Sequence, residues 1–224
     1  PFQDNIFATY TRLHTLGKLQ NESSIIGVYI LKWIQHQEIN LVKVETKKFF
    51  KTKFEDAIEL KELNNDVHPL EKELFDMMLE ASDENHILVN KDFEKWCSKN
   101  WSSFEGWLKK CNKEGLSALK KMGAVVENNK KFMGLIKYTR NEITEVGIKL
   151  TSEMFGFKKY LEDFTIINER EAKEVELWGD YIIYAQLFGI ADKVSKQFKN
   201  LYPSYFEERF NLDQNKNIDI FVVN

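Results

Sequence analysis

The residues with the clearest capacity for chemistry are lysines. Between Trp101 and Met122, Lys109, Lys110, Lys113, Lys120 and Lys121 recur at helical spacing, on the side opposite Phe104, Trp107, Cys111 and Leu119. Ammonium groups arrayed in this way suit an anionic partner: a lipid leaflet, an acidic protein surface or a DNA backbone. The same spacing also describes a solvated helix face. DNA is the less favoured partner, because the face carries no arginine to read guanine. The corresponding earlier helix, Glu22 to Gln37, has only Lys32. A second basic element, Lys47, Lys48, Lys51 and Lys53, surrounds Phe49 and Phe50. Rings flanked by lysines suit a membrane interface, and equally a hairpin whose phenylalanines fold back onto the domain.

Other chemistry finds little support. His14, His36, His68 and His86 stand apart, with no His-Glu-x-x-His and no Cys-x-x-Cys, so no metal or other cofactor is expected. There is no Gly-x-Ser-x-Gly, and Cys97 beside Trp96 reads as a packed small apolar residue rather than a nucleophile. Gly115 and Gly123 are too far apart to cradle a phosphate. Asp163 and Asp180 lie among aromatics and suit helix capping or a bond to tyrosine better than acid–base work. The chain is therefore expected to be non-enzymatic.

Composition supports a soluble globular protein: 224 residues, 43% hydrophobic and 30% charged, with only three prolines. The two cysteines demand no disulfide and suit a reducing, cytosol-facing compartment. The net charge of −3 conceals a segregation. From Glu55 to Glu94 thirteen acidic residues stand against three lysines, whereas from Lys109 to Lys137 eight lysines stand against two glutamates. Such asymmetry bears on partners rather than on fold.

The elements that must position these lysines follow from periodicity. Asn5–Leu19 predicts a helix, and a second follows Asn21 as N-cap. Ile39–Glu45 and Ala57–Leu63 alternate as strands. The order then recurs: a helix from Pro69, a short strand Ile87–Val89, a helix capped by Asn90, and another capped by Ser102 or Ser103. Strands Ala124–Glu127 and Phe132–Thr139 follow, joined at Asn128-Asn129. From Arg140 the pattern is helical towards Phe164. A break near Thr165–Asn168 and the charged run Glu169–Glu176 lead to Leu177–Phe198, read as one helix apolar on nearly every side and wrapped by the chain. Pro203 ends it, and Ile218–Val223 is strand-like. The expected fold is α+β and mostly helical: tandem winged-helix-like units at 1–66 and 67–139, a C-terminal helical segment at 140–206 closing the core, and a tail at 207–224.

Three stretches also carry a resemblance. GFKKYLEDF (Gly156 to Phe164) and LWGDYIIYAQLFGIADKV resemble the closing region of the YciQ-like membrane proteins, a family of unknown function. Lys159, Tyr160, Leu161, Asp163 and Phe164 fit the first motif; Trp178, Tyr181, Tyr184, Ala185 and Gly189 fit the second. NIFATY and GKLQNESSIIGVYILKWIQ look like the opening of the same family's cytoplasmic part. The resemblance implies a domain from a longer membrane protein, at the cytoplasmic face of the cell membrane, with no catalytic residues to carry over. The expected role is contact with a protein partner or an anionic membrane surface. The alternative is a membrane-linked transcription regulator that binds DNA through its winged-helix units.

Overall fold

The computed structural model describes residues 1–48, 51–132, 136–163 and 178–201. A turn of 3-10 helix, Phe2–Asp4, precedes α1 (Ile6–Thr15) and α2 (Ser24–Gln35). The hairpin β1 (Ile39–Lys48) and β2 (Lys51–Leu60) leads to α3 (Pro69–Ala81), β3 (Ile87–Val89), α4 (Asn90–Lys99) and α5 (Trp101–Lys121). A second hairpin, β4 (Val125–Phe132) and β5 (Ile136–Ile143), is followed by α6 (Glu145–Asp163), α7 (Trp178–Leu187) and α8 (Ala191–Leu201). The fold is α+β and mostly helical, as the sequence predicts.

The core is built on α2 and α7. Ile25 to Leu31, Trp33 and Ile34 are all buried, so α2 is covered on every side. Helix α7 lies against it, with Ile182, Ile183, Tyr184, Ala185 and Leu187 buried. Gly27 lets the two approach, because a Cβ there would sit 2.6 Å from Gln186 Nε2. Gln35 Nε2 donates to Gly179 O at 2.8 Å and pins the other end of the contact. On its opposite flank α2 meets α3. Trp33 stacks edge-on against Phe75, ring centroids 5.1 Å apart. Its Nε1 donates to buried Glu71 at 2.9 Å, and Lys32 Nζ pairs with the same carboxylate at 2.7 Å.

The two groups of elements are joined through one sheet. Strand β3 pairs antiparallel with β2, giving one sheet in the order β1-β2-β3, whereas β4 and β5 form a separate two-stranded sheet. The first strand of the second group of elements thus completes the sheet of the first.

Several boundaries differ from expectation, each for a local reason. Leu177–Phe198 is not one helix: its described part divides into α7 and α8 at Gly189, which adopts φ +68. The Ile190 N–H donates to Ala185 O at 2.9 Å and Gly189 N–H to Gln186 O at 3.1 Å, the bond pattern by which a left-handed glycine ends a helix. Asn128 and Asn129 are not a turn but central residues of β4, opposite Arg140 and Thr139. There Asn128 Nδ2 donates to Glu142 at 2.6 Å, and Asn129 Oδ1 accepts from Thr139 Oγ1 at 2.9 Å. The chain consequently stays extended through Ile143 instead of turning helical at Arg140. Helix α5 begins at Trp101 with Asn100 as its N-cap, so neither Ser102 nor Ser103 caps it. Asn21 precedes the N-cap of α2, Ser23, and its Oδ1 accepts from the Ser23 N–H at 3.0 Å. Asn90 is the first residue of α4 rather than its cap. Phe49, Phe50, Phe164, Thr165–Asn168, Glu169–Glu176, Leu177, Pro203 and the tail 207–224 lie outside the described residues.

Candidate anion-binding face

Helix α5 is fixed from two sides. Its apolar arc packs on α3 and α4, where Trp107 Nε1 donates to Leu70 O at 2.8 Å and Phe104 meets Phe93 edge-on. Its middle crosses α1 at Gly115, where a Cβ would fall 2.1 Å from both Phe7 O and Thr11 Oγ1. With 100° per residue, the five lysines span roughly 120° of the remaining circumference.

The lysines differ in what they touch. Lys109 pairs with Glu105 at 2.9 Å along the helix, Lys110 with Glu73 of α3 at 2.6 Å, and Lys120 with Glu127 of β4. Lys113 and Lys121 are exposed, and among the described residues neither has a carboxylate within ion-pair distance. Exposed pairs of this kind hold a side chain weakly, so the paired lysines remain exchangeable with an outside anion. Lys47, Lys48 and Lys51 stand at the end of the first hairpin where β1 passes to β2, away from the Ile39–Leu60 pair; their side chains, like that of Lys53, lie outside the described residues.

Beside the lysines a groove of about 510 Å³ opens between α1, α5 and the second hairpin. Arg12, Lys109 and Lys113 contribute its cations; Leu116, Val125 and Ile143 contribute apolar wall. Arg12 is the residue that sequence reading missed. A lone arginine on α1 gives no signal until α6 is set beside it, where Arg12 Nε donates to Thr151 Oγ1 at 2.9 Å. Partial burial lowers the Arg12 pKa, yet a guanidinium stays charged at any physiological pH.

The motif residues of the C-terminal part form an aromatic cluster rather than a reactive site. Phe157 meets Tyr181 at 5.4 Å, Tyr184 at 5.9 Å and Phe188 at 6.3 Å between ring centroids, all near edge-to-face. Tyr160 stacks on Phe157 and meets Tyr181 edge-on. Burial raises the Tyr184 phenol above its ordinary range, which marks it as a core hydroxyl. Gly189 supplies the helix end already described. Asp163 ends α6 exposed, and Asp180 lies in the first turn of α7, where a carboxylate favours the helix dipole. Trp178 opens α7, but its side chain lies outside the described residues.

Cys97 and Cys111 are free and buried, their thiols pushed up to about 11 and about 12 by desolvation, which leaves them poor nucleophiles. Among the described residues no three His, Cys, Asp or Glu side chains group to hold a metal ion. Among them, too, no helix is long and apolar enough to cross a membrane.

No curated protein and no solved structure shows significant similarity to the chain. Residues 132–198, from the end of β4 into α8, match the family described as "Predicted membrane protein (DUF2207) C-terminal domain", which supports a link to a membrane-protein family of unknown function.

Proposed function

We propose that the chain is a non-enzymatic contact domain of a membrane protein, working at the cytoplasmic face of the membrane. In this reading the basic face of α5 meets an anionic membrane surface or an acidic protein surface, and the helices and hairpins before α6 form a tandem winged-helix outline. The observation that carries it is the convergence of Lys109, Lys113 and Arg12 on one side of α5, with Lys113 and Lys121 free of carboxylates among the described residues. DNA binding through α5 has less support. The helix is flanked by α1 and α3, and its exposed arc still lacks arginine.

Each lysine near an anionic leaflet contributes up to about 1 kcal/mol, so several together give weak, salt-sensitive attachment that tethering makes effective. Vesicles rich in anionic lipid are expected to sediment the protein at low salt, and neutral vesicles not. Changing Lys109, Lys110 and Lys113 together to Glu should abolish it. Equal sedimentation of the triple variant and the wild type would overturn the proposal.

A further inference from the structure

The groove between α1, α5 and the second hairpin sets those cations beside an apolar lining that the surface contact above does not use. Its cations are unevenly compensated. Lys109 is engaged by Glu105, whereas Arg12 and Lys113 have no carboxylate within ion-pair distance among the described residues. No acidic side chain lines it among the described residues. Arg12 is half-buried, and its Nε is committed to Thr151 Oγ1, whose own hydroxyl donates to Gly147 O at 2.6 Å. That chain of bonds orients the guanidinium, and among the described residues its terminal nitrogens have no hydrogen-bond partner. A partly desolvated cation without a counter-charge is unfavourable, and an incoming anion relieves it.

Part of the lining is apolar and incompletely covered. Val125 and Ile143 face one another across the hairpin, yet Ile143 keeps 37% of its surface exposed. Leu116 of α5 continues this wall. A cavity of about 510 Å³ is within the usual range for small-molecule sites, roughly 300–1,000 Å³, which are mostly apolar with a few fixed polar groups. A planar guanidinium matches an oxyanion bidentately, and an ammonium adds a point charge.

We propose that this groove binds a free single-chain amphiphile with a carboxylate or phosphate head. The head sits on Arg12 and Lys113, and the apolar body lies along Leu116, Val125 and Ile143. The site shares Arg12 and Lys113 with the surface contact proposed above but does not depend on that contact.

Calorimetric titration of the whole protein with decanoate, below its micelle concentration, tests the assignment beside decanol and acetate. Decanoate should bind saturably, and the alcohol and acetate roughly tenfold or more weakly, because each lacks half of the recognition. Lys113→Gln, an exposed substitution, should weaken decanoate roughly tenfold and leave decanol unchanged; Arg12→Gln should do the same. The proposal is overturned by decanol binding as tightly as decanoate, by absence of saturable binding, or by wild-type affinity in both variants. The vesicle assay separates the two readings. Decanoate binding without vesicle binding keeps the groove and removes the surface contact; vesicle binding without decanoate binding does the reverse.

Discussion

Replacing Gly115 by alanine puts the α1–α5 crossing to a direct test. A Cβ at that position would lie 2.1 Å from Phe7 O, 2.1 Å from Thr11 Oγ1 and 2.7 Å from Phe7 C. Ordinary carbon–oxygen contacts are about 3.3 Å or longer, so the helices must part by on the order of 1 Å. The Thr11 hydroxyl can rotate, but the Phe7 carbonyl belongs to the backbone of α1 and cannot. Overpacking of this kind costs about 1–3 kcal/mol, and a backbone obstacle places it at the upper end. Against this, alanine gains about 1 kcal/mol over glycine inside a helix. The net expectation is a loss of about 2 kcal/mol. Gly106 supplies the control, since it lies in the same helix with nothing within 4 Å of its built Cβ. Gly106→Ala should therefore be more stable than wild type by about 1 kcal/mol. At about 2–4 °C per kcal/mol for a chain of this size, the two variants should melt roughly 10 °C apart, on opposite sides of wild type. Thermal and urea unfolding read this directly. If both variants shift the same way, α1 and α5 do not cross at Gly115, and the groove beside the crossing loses its geometry.

Two other outcomes follow from buried polar groups. Lys32→Met leaves the Glu71 carboxylate buried with Trp33 Nε1 as its remaining donor among the described residues and should cost about 3 kcal/mol in urea unfolding. Adding Glu71→Gln, which removes the charge and still accepts from Trp33, should recover part of it; a double variant no more stable than the single one would contradict the pairing. The buried thiols set an alkaline limit. Burial raises Cys111 from 9.0 to about 12 and Cys97 from 9.0 to about 11, so each folded value lies above the unfolded one. Their stabilising contribution is complete below about pH 9 and is lost as the pH rises towards the folded values, at about 1.4 kcal/mol per pH unit for each thiol. Stability measured between pH 8 and 10 should fall, and less steeply in Cys111→Ala; parallel slopes would refute the assignment.

What the sequence made legible was local, and what it hid was pairing. Pro69 opens α3, and Ile87–Val89 is a strand, because a proline's fixed φ and a short run of branched residues act within a few positions. The Asn128-Asn129 pair misled because asparagine favours turns by bonding nearby backbone, whereas here both side chains find partners across the hairpin. Gly189 was visible, but periodicity on either side of it fits one helix as well as two. Only the bonds from Ile190 and Gly189 back to Ala185 and Gln186 decide the matter. The lysine face was readable from spacing alone. Its neutralisation by Glu73 and Glu127, from other elements, was not.

The aromatic motifs and the basic groove are held in place by the same long-range packing. The stretch matched by the family, 132–198, contains β5, α6 and α7, whose apolar surfaces cannot be satisfied among themselves. Tyr181 and Tyr184 meet Phe157, but the other side of α7 needs α2, through the close approach at Gly27 and the bond from Gln35 to Gly179. Those partners come from the first 35 residues of the chain. The Arg12–Thr151 bond runs between the same two ends of the chain, from α1 to α6. Docking of the C-terminal helices on α2 therefore does two things at once. It closes the core, and it brings Thr151 to Arg12, orienting the guanidinium beside α5. The aromatic motifs thus act on the groove at a distance, by fixing the frame in which one arginine and the lysines of α5 meet.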